Sequence, residues 1–457
     1  RGEGYPVTLA ELNAWYPPPV GTNAADLYLE AFGLFDEWQT NMVTVMAPVA
    51  ARRPRGGVAT GEVAGEMAPV ATLKVELLPI VSSAKLPPAT VSLSNEVRTL
   101  MAEYLADNAA ALRVLHAAAE AGEARYPVDL RRGTEIPLPH LNKLRQAARL
   151  LSLEAILAVE EGQGETAARS IKSALRAAKS LEQEPVLISQ LVRYAMIGIA
   201  VEPLQRAVQQ AALTDEPLHD LCRELLRIGT EPATALTRSF AGERATVDSV
   251  FFVPELSLGS WGVPSPVASL SLRDLFNYLG EKAPELVRAG MMNGYLVSGL
   301  YDADRLYYLR TMRRLMVATQ QPLPARWLEA NQIASGVETG ANWRPISRMV
   351  LLSVATVVAK EAYAVAVTRV AATALAVERY RLANGSLPTA LAALVPAFLA
   401  EVPSDPFTGA SLQYRLCEPG FVVYSVGEDQ HDDGGTERGS RGMMYQPGTD
   451  IVFKVER

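Results

Sequence analysis

Residues 377–388 read Val377-Glu378-Arg379-Tyr380-Arg381-Leu382-Ala383-Asn384-Gly385-Ser386-Leu387-Pro388. The first seven continue a helical pattern that starts near Pro345, and Asn384-Gly385 ends it. Asn and Gly tolerate the left-handed backbone in which helices terminate, and a proline shortly afterwards cannot rejoin the ladder. Beyond this point the period of the apolar residues changes. Residues 412–416, 421–426 and 451–455 are short β-branched and aromatic runs separated by Gly, Pro and Asp, which is the pattern of strands. Nearly everything upstream is helical. The junction therefore divides a mainly α body from a small C-terminal α+β module.

Upstream, Ser94 is a natural N-cap, and Leu100, Tyr104, Leu105, Leu112 and Leu115 recur at helical spacing until Gly122, so one helix is expected over 94–121. Further helices are expected over 140–161, 165–182, 186–211, 215–228 and 231–250. Pro185, Pro217 and Pro232 stand where first-turn prolines belong, and Thr214 and Thr230 can cap. After a Gly- and Pro-rich break at 253–270, the helical pattern resumes over 271–279, 284–298, 301–319 and 324–334. Short connections imply antiparallel neighbours, so the expected architecture is mainly α, an array of antiparallel helix hairpins. No 34-residue repeat is present. Residues 1–22 read as an extended arm because Pro17, Pro18 and Pro19 exclude helix. Asn23 begins a short helix carrying Leu27, Phe32, Phe35 and Trp38. Prolines and glycines break every pattern between 47 and 90, but Val70, Leu73, Val75, Leu77 and Leu78 mark a wrapping arm that packs down. Three units follow: an irregular arm with one short helix (1–93), a helical domain (94–343), and a long helix plus β module (344–457).

The composition supports large cores, with 49% hydrophobic and 20% charged residues in 457. Eight Lys stand against 35 Arg, net charge is −7, and no basic run is interleaved with aromatics, so nucleic acid is not an expected partner. Cys222 and Cys417 belong to no C-x-x-C pair. The longest apolar candidate, 349–359, contains Ser353 and Thr356 and is closed by Lys360 and Glu361. It is shorter than the roughly 18–20 residues a membrane span needs. The chain begins at Arg1 rather than Met, which suggests residues upstream of it; a removed signal peptide or upstream membrane anchor would fit, and so would a sequence that simply starts part-way along.

From Ala376 onward the sequence resembles the globular domain of the major pseudopilin of type II secretion. The resemblance rests on ordered features: the helix end at Asn384-Gly385, Leu387-Pro388, Leu394-Val395-Pro396, Ser404-Asp405-Pro406-Phe407-Thr408-Gly409, Tyr414, Val423-Tyr424-Ser425-Val426-Gly427-Glu428-Asp429, Asp432-Asp433-Gly434-Gly435 and Asp450-Ile451. It covers a quarter of the chain or less, the last 82 of its 457 residues. The whole layout also looks like large uncharacterised secreted bacterial proteins with the same kind of tail. The resemblance implies a pseudopilin-like β fold, an extracytoplasmic setting (periplasmic or cell surface) and a calcium loop. Asp429 and Asp450 stand at the positions of the family's acidic ligands, and Asp432, Asp433, Glu428 and carbonyls near Ser425 are available to join them. Calcium takes six to eight oxygen ligands. The chain departs from the family in one decisive respect. A pseudopilin carries its apolar helix at its N-terminus, whereas here the matching helix lies after residue 344 and bears Lys360, Glu361, Arg369 and Glu378. A pilus subunit is not implied.

No H-E-x-x-H, P-loop, G-x-S-x-G or G-x-G-x-x-G motif occurs. His116 reads as a packed helix residue, His140 as a residue that fixes a loop, and His219 as part of a solvated face; His431 belongs to the acidic loop. Asp302 and Asp304 point in different directions on one helix and suit its start. Glu160-Glu161 reads as an exposed helix end. Trp15, Tyr16 and Trp261 lie in irregular segments and pin loops onto helices, while Trp38, Trp327 and Trp343 belong to core or rim. The expected function is that of a non-catalytic extracytoplasmic structural or assembly protein, with other proteins or further copies of the chain as partners. Two alternatives are a hydrolase or carbohydrate-acting enzyme on an all-α scaffold, and a calcium-dependent module that binds a surface polymer.

Overall fold

The computed structural model describes residues 4–19, 21–36, 86–230, 233–251, 298–340, 344–436 and 448–457. Most of the 47–90 arm, the 253–270 break, the helices expected over 271–279 and 284–298, and Trp38, Trp261 and Trp343 lie outside the described residues. The rest is mainly helical, with a small antiparallel sheet at the C-terminus. The helices are α1 (Leu9–Ala14), α2 (Ala24–Gly33), α3 (Asn95–Asp107), α4 (Ala109–Glu120), α5 (Pro139–Glu160), α6 (Gly164–Lys179), α7 (Leu187–Gln209), α8 (Asp215–Thr230), α9 (Thr234–Phe251), α10 (Leu300–Ala318), α11 (Ala325–Glu338) and α12 (Pro345–Asn384). The strands are β1 (Gln413–Leu416), β2 (Phe421–Ser425) and β3 (Ile451–Val455), in the order β1-β2-β3.

α12 is the mast of the molecule. It packs against α7, α8, α10 and α11, and near its end against β2 and β3. From Val357 to Val377 most of its side chains are buried, and eight of them are alanines. Small residues let neighbouring backbones come close. At Gly229 on α8 an added Cβ would lie 2.9 Å from Thr368 Oγ1 of α12. The start of α12 is capped from another helix: Asp304 of α10 accepts from the Ser347 amide at 3.2 Å, and its backbone carbonyl accepts from the Ser347 hydroxyl at 2.8 Å. Such a carboxylate satisfies one of the orphan first-turn N–H groups. Of the two acids expected to suit the start of α10, Asp302 stands in its first turn, whereas Asp304 is fully buried and serves α12 instead. The far end closes as expected, with Gly385 at φ 70 and its N–H on Arg381 O at 2.8 Å.

Two helical expectations are corrected. The 94–121 segment is two helices, because Asn108 turns its side chain onto the backbone. Its Nδ2 donates to Tyr104 O at 2.9 Å, and its Oδ1 accepts from the Asp36 amide at 3.2 Å. Asparagine offers the backbone this alternative to the ladder. The N-terminal arm also contains α1, so it has two helices among the described residues. Thr8 and Glu11 form a complete capping box around the start of α1. Leu12 then enters a small core with Tyr16, Leu130, Ile136 and Ala245.

Among the described residues, two helices are long and apolar enough to qualify as membrane spans by length and mean hydropathy, 187–209 and 347–384. About two-thirds of each qualifying window is buried inside the protein (67% and 65%). Their apolar faces belong to the core, whose described members range from Ala24 to Val455.

Glu160 contradicts its reading as an exposed helix end. Its side chain is 1% exposed and pairs with Arg206 at 2.5 Å. It also accepts from the Leu93 amide at 3.0 Å and Gln210 Nε2 at 2.9 Å. Arg206 in turn donates to the carbonyls of Pro87 and Val91, each at 2.9 Å. One buried pair thus fastens the chain entering α3 to the ends of α5 and α7. Removing one partner strands the other charge in a dry site, which costs about 3–5 kcal/mol. Glu160→Ala is therefore expected to lower urea-unfolding stability by about that amount, while Glu161→Ala, one residue on and exposed, leaves it within about 0.5 kcal/mol.

Candidate functional site

The acidic loop is built on the end of β2. The buried carboxylate of Asp405 accepts from the Phe407 amide at 2.8 Å and the Val426 amide at 3.0 Å. This ties the Asp405-Pro406-Phe407-Thr408-Gly409 turn to the strand end. The chain then passes through Gly427 at φ +74, where an added Cβ would sit 2.3 Å from Thr449 O. Only glycine permits both that backbone and that approach, so residues 427 and 449 run side by side. Further on, Gly435 lies over Tyr424, where a Cβ would meet the ring at 2.8 Å. The loop therefore roofs the outer face of the sheet, sealing a cluster of Val422, Tyr424 and Val452.

The four candidate ligands do different things here. Asp450 is 7% exposed and accepts from the Gly435 amide at 2.8 Å and the Asp433 amide at 3.4 Å. Burial pushes its carboxyl above the usual aspartate range, those amides pull the other way, and neighbouring Asp432 and Asp433 add to the rise. Asp432 accepts from Tyr424 OH at 3.0 Å and the Gly434 amide at 2.8 Å. Asp429 accepts from the His431 amide at 3.1 Å, and its Oδ2 lies 3.8 Å from the Cβ position at Gly448. His431 is exposed and stands 4.0 Å from Asp433. The loop thus brings Asp433 to Asp450 and Asp429 to residue 448, and turns Asp432 towards Tyr424. The donor chemistry, hard oxygens only, suits calcium. Among the described residues, however, no three acidic, His or Cys side chains form a ready metal cage.

Catalytic geometry is best sought around His116, where the sequence holds no motif. His116 Nδ1 lies 2.8 Å from Ser173 Oγ and Nε2 lies 2.9 Å from Glu154 Oε2. Ser170 Oγ donates to the same Glu154 oxygen at 2.6 Å. Burial raises the Glu154 carboxyl, but hydrogen bonds from His116 and Ser170 outweigh it and hold the group below the usual range. These are the distances of a Ser-His-acid relay. The rest of a relay is not there. Ser173 is only 3% exposed and sits inside α6, whose backbone amides are committed to the helix ladder and offer no oxyanion donors. The cluster is a polar pin joining α4, α5 and α6. His140 is a second pin: buried, 3.0 Å from Glu184 and stacked on Tyr126 with ring centroids 4.4 Å apart, as its reading as a loop-fixing residue anticipated. His219 is half exposed, 4.0 Å from Asp220. Both cysteines are free, Cys222 buried and Cys417 partly exposed.

Burial pushes two further carboxyls up to about 7, Glu202 of α7 and Glu243 of α9. They sit on different helices, and neither lines the groove of about 500 Å³ that contains His116. The raised acids and the concavity therefore do not coincide, and the perturbed acid that does line the groove, Glu154, is lowered by its bonds to His116 and Ser170 rather than raised towards an acid–base role. The two acids still have a measurable consequence. The unfolded chain loses these protons near 4.5 and the folded chain near 7, so folding stability falls as pH rises through that window. The variant Glu202→Gln/Glu243→Gln is expected to flatten that fall and to be the more stable protein at pH 8, on the order of 1–3 kcal/mol per site, in denaturant titrations across pH.

No protein-family model, curated protein or solved structure matches the chain.

Proposed function

We propose that this is a non-catalytic, extracytoplasmic structural or assembly protein, an array of helix hairpins bearing a pseudopilin-like module that acts through protein–protein contacts. The observation that carries the reading is the unequal treatment of the two sheet edges. The β3 edge is sealed by α7: Gln205 Nε2 donates to Lys454 O at 3.0 Å, Gln209 Oε1 accepts from the Glu456 amide at 2.7 Å, and Gln209 Nε2 donates to Glu456 O. The terminal Arg457 side chain pairs with Glu378 of α12. The module is thereby fixed in orientation on the body. β1, at the other edge, is mostly exposed, and Leu416 is 49% exposed at its end. An exposed sheet edge is a template for pairing with another chain unless it is blunted, and on β1 (Gln413-Tyr414-Arg415-Leu416) the exposed apolar contact is Leu416. A module locked on one side and left adhesive on the other suits assembly.

The calcium-dependent reading rests on the same module. Asp429, Asp433 and Asp450 border one return of the chain, with Asp432 beside them, and a divalent cation there would offset the repulsion among them.

Two measurements test these readings. Native protein, sized after mild purification and after cross-linking, is expected to run well above the 49.3 kDa chain mass, and Leu416→Lys is expected to shift it to monomer. A cross-linked wild-type monomer would sink the assembly reading. For calcium, millimolar ion is expected to raise the melting temperature of the full chain. At a concentration a hundredfold above Kd the stabilisation is about 2.7 kcal/mol. Chelator and Asp429→Ala should each cancel it; identical melting with calcium and chelator would remove the metal from the account.

A further inference from the structure

The groove beside His116 has a polarity gradient that the polar pin does not explain. It lies between α3–α4 on one side and α5–α6 on the other, with a volume of about 500 Å³. Its floor is apolar: Leu105, Leu112, Leu157 and Ala158 are each between 3% and 9% exposed. Position along the helices orders the rest. Ala109 on α4 and Glu161 and Gln163 after α5 mark one end, where Gln163 Nε2 donates to Glu161 at 2.9 Å. Arg113 and His116 on α4, Glu154 on α5 and Arg169 on α6 mark the other. From 109 to 116 the helix advances about 10 Å, so a basic end and an apolar floor lie within the length of a small molecule.

The charges at the basic end are not all neutralised. Glu154 is the one acid there, and its Oε2 is taken by His116 and Ser170. Arg169 acts on Glu154 through space and is exposed. Arg113 is exposed and makes no hydrogen bond or ion pair among the described residues. A guanidinium beside an apolar floor, without an acid of its own, is suited to a planar anionic head, because its fork of N–H donors matches a carboxylate in two contacts.

We propose that this groove binds a small carboxylate amphiphile, its head held between Arg113 and Arg169 and its alkyl tail laid along Leu112, Leu157 and Ala158. The His116–Glu154–Ser173 pin holds α4, α5 and α6 at the spacing that keeps the two guanidinia on facing walls. It positions them and does not touch the ligand. Ligand capture here is independent of the assembly role and requires no calcium.

Saturation-transfer NMR titration of the full chain with octanoate, octan-1-ol and acetate tests the site. The head and tail act together, so octanoate is expected to saturate with Kd on the order of 1 mM, a value within reach of a ligand of this size. The alcohol lacks the charge and acetate lacks the tail, so each should bind at least about tenfold more weakly. Arg113 is exposed and unbonded, so Arg113→Ala should fold with an unchanged melting temperature and lose about tenfold in octanoate affinity. Equal binding of octanoate and octan-1-ol, full octanoate affinity in Arg113→Ala, or no saturation at about ten times the expected Kd would each overturn the proposal.

Discussion

A 40-residue helix about 60 Å long, apolar on nearly every side through its middle, is the constraint around which the rest of the protein is arranged. An isolated helix of that composition cannot remain in water, because removing apolar surface from water is the strongest force favouring the fold. α7, α8, α10 and α11 cover it along its length, and β2 and β3 cover its end. Alanine at so many of its buried positions means that the coverage comes from close backbone approach rather than from large interdigitating side chains. Close approach also makes substitutions destabilising, since neighbouring atoms have little room to move. Both ends need partners for orphaned backbone groups. One is supplied by Asp304, more than forty residues upstream, and the other by the left-handed turn at Gly385.

Around that mast the body is held in register by buried ion pairs, and by a buried histidine–carboxylate hydrogen bond, that join distant segments. Glu160–Arg206, Arg326–Glu361 and His140–Glu184 each have both side chains under 9% exposed. Asp248–Arg305 is buried on the acid side. Such pairs add little net stability, because desolvation offsets most of their attraction. Their effect is on alternatives: a helix shifted by one turn would leave a charge buried without its partner. An alanine-rich interface is otherwise tolerant of sliding, so these pairs set the register that small side chains leave open.

The legible and the illegible parts of this chain divide by range. The helices, the end of α12 and the three strands follow local period and local turn residues, and are readable as such. α1 is readable too, since Thr8-x-x-Glu11 is a local signature, but the three prolines after it favour an extended arm. The break at Asn108 depends on a contact with Asp36, and the burial of Glu160 depends on residues 87–93 returning across it. Neither partner can be identified from the residues beside it. The same holds for Asp304, whose helix-start chemistry is legible but serves α12 rather than its own helix. At the acidic loop the residue types are legible, while the division of labour among them is not.

That division bears on how much a family resemblance at the loop can mean. Asp432 and Asp450 have a structural task that needs no ion. Their bonds to Tyr424, Gly434, Gly435 and Asp433 hold the loop over Val422, Tyr424 and Val452. Without that roof three apolar side chains on the outer face of a three-stranded sheet would face water. Their presence is therefore explained by folding alone and carries little weight for metal. Asp429 carries more, because its one described bond, to the His431 amide, shapes a local turn that does not require a carboxylate on a surface already dense with acids. Raising the acid count at that return costs electrostatic energy that no described contact offsets. Asp429 is thus the position in the loop where the fold itself asks least for an acid.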